Sequence, residues 1–339
     1  MPRGMTYAKA GVDQDAKLRA VRSLIGTLHF KRRGLGRPVD LVEGFSGLIE
    51  FGDSLLGLTT DGVGTKLLIA EELGKWDTVG IDCVAMNVND LICVGAEPLA
   101  FVDYIATPRP EPGLWAELGK GLDTGCRQGN CTLIGGETAV MPEVMRTIDL
   151  SGTAMGWVAR KRVVTGARVR PGDALIGLAS SGLHSNGVTL VRKVVKGARR
   201  KWSEPFGGST LGQVCLTPTS IYVRAVMRLL RAVDVHGLAN ITGGGMRNLA
   251  RWRPDVRVVI DEPLRVPPIF SAIQRWGGIE DSEMWRTLNM GMGFAVAVPA
   301  SQADDALAAL RGHRPRVVGR IERGSGVVHE PLGLSWGGY

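Results

Sequence analysis

The sequence predicts two α/β domains placed one after the other, and three observations carry that prediction. The chain has 339 residues, enough for roughly two domains. Strand-like apolar runs alternate with helix-like segments in both halves. A strand leading into a glycine-bearing loop and then a helix start occurs at 59–66 and again at 180–187, with further glycine turns at 135–138 and 240–245. The expected organisation is an N-terminal extension over 1–40, a first domain over 41–160 and a second over 168–332.

In order, the pattern predicts a helix over 13–28, then a basic tip and a loop with Gly34, Gly36 and Pro38. A glycine-rich turn follows at Glu43-Gly-Phe-Ser-Gly47. Short strands at 48–51 and 54–58 flank a Gly52-Asp53 hairpin turn. A helix is expected at 67–73 and a nearly all-apolar one at 78–94. The first domain continues with a strand at 99–106, a helix at 111–127, a short buried strand at 131–134 running into a turn at 135–138, and a strand at 148–159. Basic residues and Pro171-Gly-Asp mark the boundary. The second half reads as strand 174–179, a helix from 187 to 195, helix 218–233, strand 256–260, helix 267–276, strand 294–298, helix 302–311 and strand 316–321.

Composition narrows the function. With 44% hydrophobic and 22% charged residues, the chain is typical of soluble globular proteins. No apolar run is long enough to span a membrane, and the N-terminus lacks an apolar signal core. Five cysteines without a Cys-x-x-Cys pair read as free thiols of a reducing compartment, so a cytoplasmic protein is expected. The net charge of +8 is spread over short clusters such as 31–33, 160–162 and 199–201, with no basic helix or aromatic-interleaved motif. Attraction of a small anionic substrate accounts for it without nucleic acid.

The chemistry concentrates in the glycine loops. Thr59-Thr60-Asp61-Gly62-Val63-Gly64-Thr65-Lys66 joins strand to helix, as phosphate sites do. It is not a Walker A loop, because Thr65 precedes the lysine and Leu67 follows it. The helix over 78–94 has no Lys, Arg or Glu, yet carries Asp82, Asn87, Asn89 and Asp90; Asn87 and Asp90, three apart, share a face. Gly135-Gly136-Glu137 adds a carboxylate. Ser180-Ser-Gly-Leu-His184-Ser185-Asn186-Gly187 places a histidine among small polar residues, and Asn240-Ile-Thr242-Gly243-Gly244-Gly245 is a further phosphate-type turn. Carboxylates without imidazole or thiolate partners suit a hard ion such as Mg²⁺, which bridges protein to substrate phosphates.

These residues resemble the aminoimidazole ribonucleotide synthetase, or phosphoribosylformylglycinamidine cyclo-ligase, family. The resemblance runs from Tyr7-Ala-Lys-Ala-Gly-Val-Asp13 through 60–66, Asp90-x4-Gly95-Ala-x-Pro98, 135–142, 181–193, Pro218-Thr-Ser-Ile-Tyr222 and 242–245. It ends at Glu283-Met-Trp-Arg-Thr-Leu-Asn-Met-Gly-Met-Gly293, so it covers nearly the whole chain. It implies a first domain whose strands join a partner's in a homodimer, ATP and Mg²⁺ as cofactors, and formylglycinamidine ribonucleotide as substrate. It also implies ATP contacts at Asp61, Gly62, Gly64, Thr65, Lys66, Asn89, Asp90, Gly135 and Gly136, with metal held by Asp61, Asp90 and Glu137. Substrate would meet His184, Ser185, Asn186, Gly187 and Thr242 to Gly245, and His184 and Lys66 would assist catalysis. The chain departs from the family at Val140, where Glu is common, in a shortened loop after Pro142, and at Asn240, where the family has His. The alternatives are a formylglycinamidine synthase-like or selenophosphate synthetase-like enzyme, or a basic nucleotide- or RNA-binding module.

Overall fold

A computed structural model describes residues 4–40 and 45–338; the first two residues of the turn expected at 43–47 lie outside the described residues. The N-terminal stretch carries α1 (Gln14–Gly26), capped by Asp13, whose carboxylate accepts the Ala16 amide at 2.9 Å. Strands β1 (Pro38–Val39), β2 (Gly47–Phe51) and β3 (Ser54–Gly62) lead to α2 (Leu67–Leu73), α3 (Val79–Ile92), β4 (Glu97–Thr107), α4 (Pro112–Gly129), β5 (Thr132–Val140) and β6 (Asp149–Ala159). They build one sheet in the order β1-β2-β3-β6-β4-β5. Only the β4–β5 pair is parallel, and α4 supplies the crossover that a parallel pair needs.

Helices α3 and α4 pack together with their backbones in contact. A Cβ at Gly80 would lie 2.5 Å from the Leu122 nitrogen, and one at Gly121 2.6 Å from the Asp77 carbonyl. Strand alternation turns Leu55, Phe101, Leu150 and Ala154 into the core beneath α3. The opposite face is bare: Phe51, Leu58, Leu99, Val102, Tyr104 and Trp157 are 37–50% exposed.

Two expectations change. Thr59 to Gly62 are not loop but the last residues of β3, paired with β6 as far as Gly62↔Ser151. Residues 135–138 are not a turn either: β5 runs through them, paired with β4 from Val102↔Gly135 to Ile105↔Thr138. The parallel ladder holds the two glycines extended. As the sheet's edge, β5 is exposed rather than buried.

The second domain contains β7 (Asp173–Ala179), α5 (Val188–Gly197), β8 (Pro205–Phe206), β9 (Ser209–Thr210), α6 (Leu211–Cys215), α7 (Val223–Ala232), β10 (Gly237–Asn240) and β11 (Val256–Ile260). It continues through α8 (Pro268–Gly277), α9 (Asp281–Thr287), β12 (Met292–Pro299), α10 (Ala303–Ala309), β13 (Arg316–Arg323), β14 (Val327–His329) and β15 (Leu334–Trp336). Seven strands form a sheet in the order β10-β12-β7-β13-β11-β14-β15. The registers Ala179↔Met292, Asn240↔Phe294 and Ile260↔Gly319 bring the loops after β7, β10 and β11 to one end of that sheet. The helix expected from 218 begins only at Val223, because Thr219, Ser220 and Tyr222 spend backbone groups on Asp82 and Asn89 of α3. No helix among the described residues is long and apolar enough to cross a membrane. The mixed α/β, two-domain architecture is the one the sequence predicts.

Candidate active site between the domains

Helix α3 is the axis on which the domains meet. Asp82 and Asn89, seven residues apart and so on one face, are both fully buried. Asp82 Oδ1 accepts from the Thr219 amide at 2.8 Å and the Thr219 hydroxyl at 2.5 Å. Asn89 grips the same segment with both ends of its amide: Nδ2 donates to the Ser220 carbonyl at 2.8 Å, and Oδ1 accepts the Tyr222 amide at 3.0 Å. Asn89 was expected to contact ATP; its side chain is instead spent on docking the second domain.

Lys66 is engaged in the same way. The short 3₁₀ turn Gly64–Lys66 before α2 directs its side chain inward, where it is fully buried. Its ammonium lies 3.0 and 2.8 Å from the two Asp82 oxygens and donates to the Thr217 carbonyl at 2.8 Å. Buried charges persist only when paired and hydrogen-bonded, and Lys66 meets that condition without a phosphate. It is not presented to a ligand from the loop tip.

His184 sits in the left-handed backbone region, with φ of 59°, a conformation uncommon outside glycine. Its Nε2 faces the amides of Ser181 and Ser220, at 3.3 and 3.4 Å, as acceptor. That fixes the proton on Nδ1. Burial, helped by the positive charge of Lys66, depresses its pKa to about 3. His184 is therefore a neutral imidazole near neutral pH.

The cleft proper lies beside this knot, where polar groups are not satisfied. Asp61 ends β3, with Oδ1 accepting the Gly62 amide at 2.7 Å. Burial raises its pKa, opposed by that hydrogen bond and by the charge of Lys17. Asn87 donates to the Asp61 carbonyl at 3.2 Å, while its own Oδ1 is buried without a partner. At the end of α3, Asp90 Oδ1 accepts from Asn240 Nδ2 at 2.8 Å. Burial lifts Asp90 from 3.8 to about 7; Asn240 opposes the shift and the charge of Asp61 adds to it. Asp61 and Asp90 are thus close enough to feel each other. The departure at Asn240 has a plain consequence: the residue is a neutral donor to Asp90.

Loops of the second domain complete the rim. Gly187 has φ of 72°, and a Cβ there would lie 2.3 Å from Leu288 Cδ2, so only glycine fits before α5. Asn186 lies between Met86 of α3, 3.8 Å from its sulfur, and Gly243. Ser185 and Thr219 hydroxyls are 3.5 Å apart, and Thr65 meets Thr189 at 2.9 Å. Asn248 donates to Thr242 Oγ1 and to the Asn240 carbonyl, both at 2.8 Å, fixing the turn that carries Gly243, Gly244 and Gly245. The N-terminal segment runs between the domains: the Tyr7 amide donates to Glu283 at 2.7 Å, and the charge of Lys17 is near enough to Asp61 to lower its pKa.

The expected metal set does not assemble within one chain. Among the described residues, no three Asp, Glu, His or Cys side chains converge on a metal position. Asp61 and Asp90 are neighbours, but Glu137 is exposed on β5 with Gly135 and Gly136. That strand is three places from β3 in the sheet, roughly 14 Å away at the usual strand spacing. Sequence reasoning missed Asp103. The register Asp61↔Gly152↔Asp103 puts it on the same row two strands from Asp61, and burial raises its pKa. Its signal was an acidic residue in phase with the inward-facing Phe101 and Ile105.

Two family models match this chain: the N-terminal domain of AIR synthase related proteins over residues 46–158 and the C-terminal domain over residues 170–330. The fold is shared with thiamine monophosphate kinase from Aquifex aeolicus, at a TM-score of 0.63, 17% identity and coverage of 95% of this chain and 98% of that one. It is shared too with the hydrogenase maturation protein HypE in complex with ATP, at 0.61, 20%, 94% and 93%. Fold and interdomain cleft thus define a two-domain protein of the AIR synthase-like class. By sequence, the chain is 44% identical to the phosphoribosylformylglycinamidine cyclo-ligase of Methanosarcina barkeri, over 94% of this chain and 95% of that one. It is 46% identical to the enzyme of the same name from Thermococcus kodakarensis, over 91% and 92%. The chain belongs to the phosphoribosylformylglycinamidine cyclo-ligase family, as its motifs implied, and the alternative readings are set aside.

Proposed function

We propose that this chain closes the imidazole ring of 5-aminoimidazole ribonucleotide from formylglycinamidine ribonucleotide, consuming ATP and releasing ADP and phosphate. The observation that carries this reading is near-full-length kinship at 44–46% identity with cyclo-ligases, joined to a cleft where Asp61 and Asp90 face the loops 185–187 and 242–245.

The chemistry calls for such a cleft. A formamide oxygen is a poor leaving group, so it first attacks the γ-phosphorus of ATP and ADP departs. The ribosylamine nitrogen then attacks the activated carbon, phosphate leaves with the former formamide oxygen, and the nitrogen gives up its proton. Phosphoryl transfer rests on positioning and charge neutralisation more than on a protein nucleophile. Mg²⁺ fits the donor set, because it is commonly held by one or two carboxylates with substrate phosphates completing its shell. Asp61 and Asp90 would hold it, with the unpartnered Asn87 Oδ1 beside them; when bound, it would neutralise charge on the phosphoryl oxygens. The backbone of 185–187 and 242–245 suits the ribose phosphate, and the Nδ1–H of His184 is a fixed neutral donor for the formamide or its phosphorylated form.

A homodimer through the bare face of the first sheet belongs to the same proposal. Phe51, Leu58, Leu99, Val102, Tyr104 and Trp157 leave an apolar face of the kind that marks an interaction site. A monomeric mass by light scattering at micromolar concentration would contradict it. For the activity, the test is incubation with formylglycinamidine ribonucleotide, ATP and Mg²⁺. The proposal expects aminoimidazole product and ADP in equal amounts. ADP formation without ring product, or phosphate transfer to thiamine monophosphate instead, would overturn it.

A further inference from the structure

A cavity of about 520 Å³ opens at the loop-bearing end of the second sheet, within the size range of small-molecule sites. It is lined by Ser180 at the exit of β7, by Leu264, Arg265 and Pro267 after β11, and by Arg314 and Arg316 at the start of β13. Three arginines are among its lining residues, and none of those residues carries a carboxylate. Some arginines of the same domain do find acids: Arg320 is paired with Asp261, Glu322 and Glu330. Arg265, Arg314 and Arg316 enter no side-chain hydrogen bond or ion pair among the described residues.

Ser180 adds an independent observation. It is only 3% exposed, and its Oγ has no hydrogen-bond partner. Its backbone amide is already used, donating to the Gly291 carbonyl at 2.9 Å. A buried hydroxyl left unmatched is rare, and this one belongs to the wall of a cavity that also holds three unpaired cations. A pocket of one charge sign concentrates the opposite ion, and the planar guanidinium fork matches phosphate oxygens two at a time.

We propose that this cavity is an anion site that takes a phosphate monoester, separate from the carboxylate pair Asp61 and Asp90. The phosphate has two sources: the ester of the ribonucleotide substrate, which would then lie here and not on the backbone of 185–187 and 242–245, or a phosphate ligand bound independently. The site adjoins the loop of the proposed active site, since the next residue, Ser181, donates its amide to His184. Occupancy would steady the loop at its root.

The test is calorimetric titration of the full chain with inorganic phosphate, for wild type, R265Q/R316Q and S180A. Both arginines are exposed, so the double variant should fold, and thermal melts without phosphate verify it. Wild type should bind saturably, with R265Q/R316Q weaker by at least about tenfold and S180A by a smaller factor. R265K/R316K, which keeps charge but loses the fork, should fall between them. No saturable binding, or equal affinity in wild type and R265Q/R316Q, overturns the site. The KM for formylglycinamidine ribonucleotide assigns the source. A rise in step with lost phosphate affinity, and competition by phosphate, identify the substrate's ester; an unchanged KM with lost phosphate binding identifies a separate ligand. Phosphate binding needs no turnover, so this result stands or falls apart from the proposed reaction.

Discussion

Along little more than two turns of α3, two kinds of polar group sit side by side and behave as opposites. The knot of Lys66, Asp82, Asn89 and His184 is buried, and its charges and amides are matched to one another or to residues 217–222. The rim of Asp61, Asn87 and Asp90 is partly matched at best: both carboxylates are pushed toward protonation, and one amide oxygen has no partner. Both groups come from the sequence features that first looked catalytic. The difference teaches that a polar residue in a glycine-rich, buried-looking stretch is assigned by whether its partners are already present. The knot joins the domains, and the rim leaves polar groups unmatched, as the proposed binding of a ligand there requires.

Breaking the knot should give the largest effect on stability. Lys66→Met strands Asp82 in the interior, and loss of one partner of a buried pair costs about 3–5 kcal/mol. Chemical denaturation should show this, with much of the loss restored in the K66M/D82N double variant. Undiminished stability of K66M would dissolve the distinction between knot and rim.

Rim substitutions should do the reverse. Asp61→Asn and Asp90→Asn should lower turnover by about 10²-fold or more, as expected for losing charge stabilisation of a transferring phosphoryl group, while both variants stay folded. Asp90 also sharpens the contrast through pH. Its folded-state pKa lies at about 7, above the ordinary 3.8, so the folded chain holds that proton more tightly than the unfolded one. The resulting stability is present below pH 4 and lost as pH rises through 7. D90N should therefore melt higher than wild type at pH 8 and show little advantage at pH 4. Equal melting shifts at both pH values would remove Asp90 from the strained rim.

Smaller effects follow. Asn89→Ala leaves the Ser220 carbonyl and the Tyr222 amide without their partner, costing about 1–3 kcal/mol, with ATP affinity unchanged in the variant that remains folded. For His184, the expected effect on the pH–rate profile is none: a group depressed to about 3 contributes no limb near neutrality. H184N, which tolerates the left-handed backbone, should keep the wild-type limbs even where the rate falls. A limb that vanishes in H184N would restore the histidine as an acid–base group.

Much of the fold was legible because periodicity and punctuation agree. Helix α2 ends at Gly74, in the left-handed region, and the Gly52 hairpin and the strand at 256–260 lie where pattern placed them. β5 was not legible: Gly135-Gly136 reads as a turn, and only the parallel partner across α4 makes it a strand. In the candidate site, Asp61 and Asp90 stand out in the sequence by their odd setting. The inward aim of Lys66 was not, because its acceptor lies sixteen residues on and a lysine after a glycine loop looks the same from either side. The docking role of Asp82 and Asn89 was not legible either: they share a face, but the segment they grip lies 137 and 131 residues further on.

The most direct test is the affinity for ATP–Mg²⁺ of K66M/D82N, measured by calorimetry beside D61N/D90N. The first variant deletes every charge of the knot but keeps an acceptor for Thr219. If the knot only docks the domains, K66M/D82N should bind within about threefold of wild type, since replacing a buried pair as a unit is often near neutral, and D61N/D90N should lose saturable binding. Collapse of binding in K66M/D82N, with D61N/D90N unaffected, would mean that Lys66 meets the nucleotide and that the division between knot and rim is wrong.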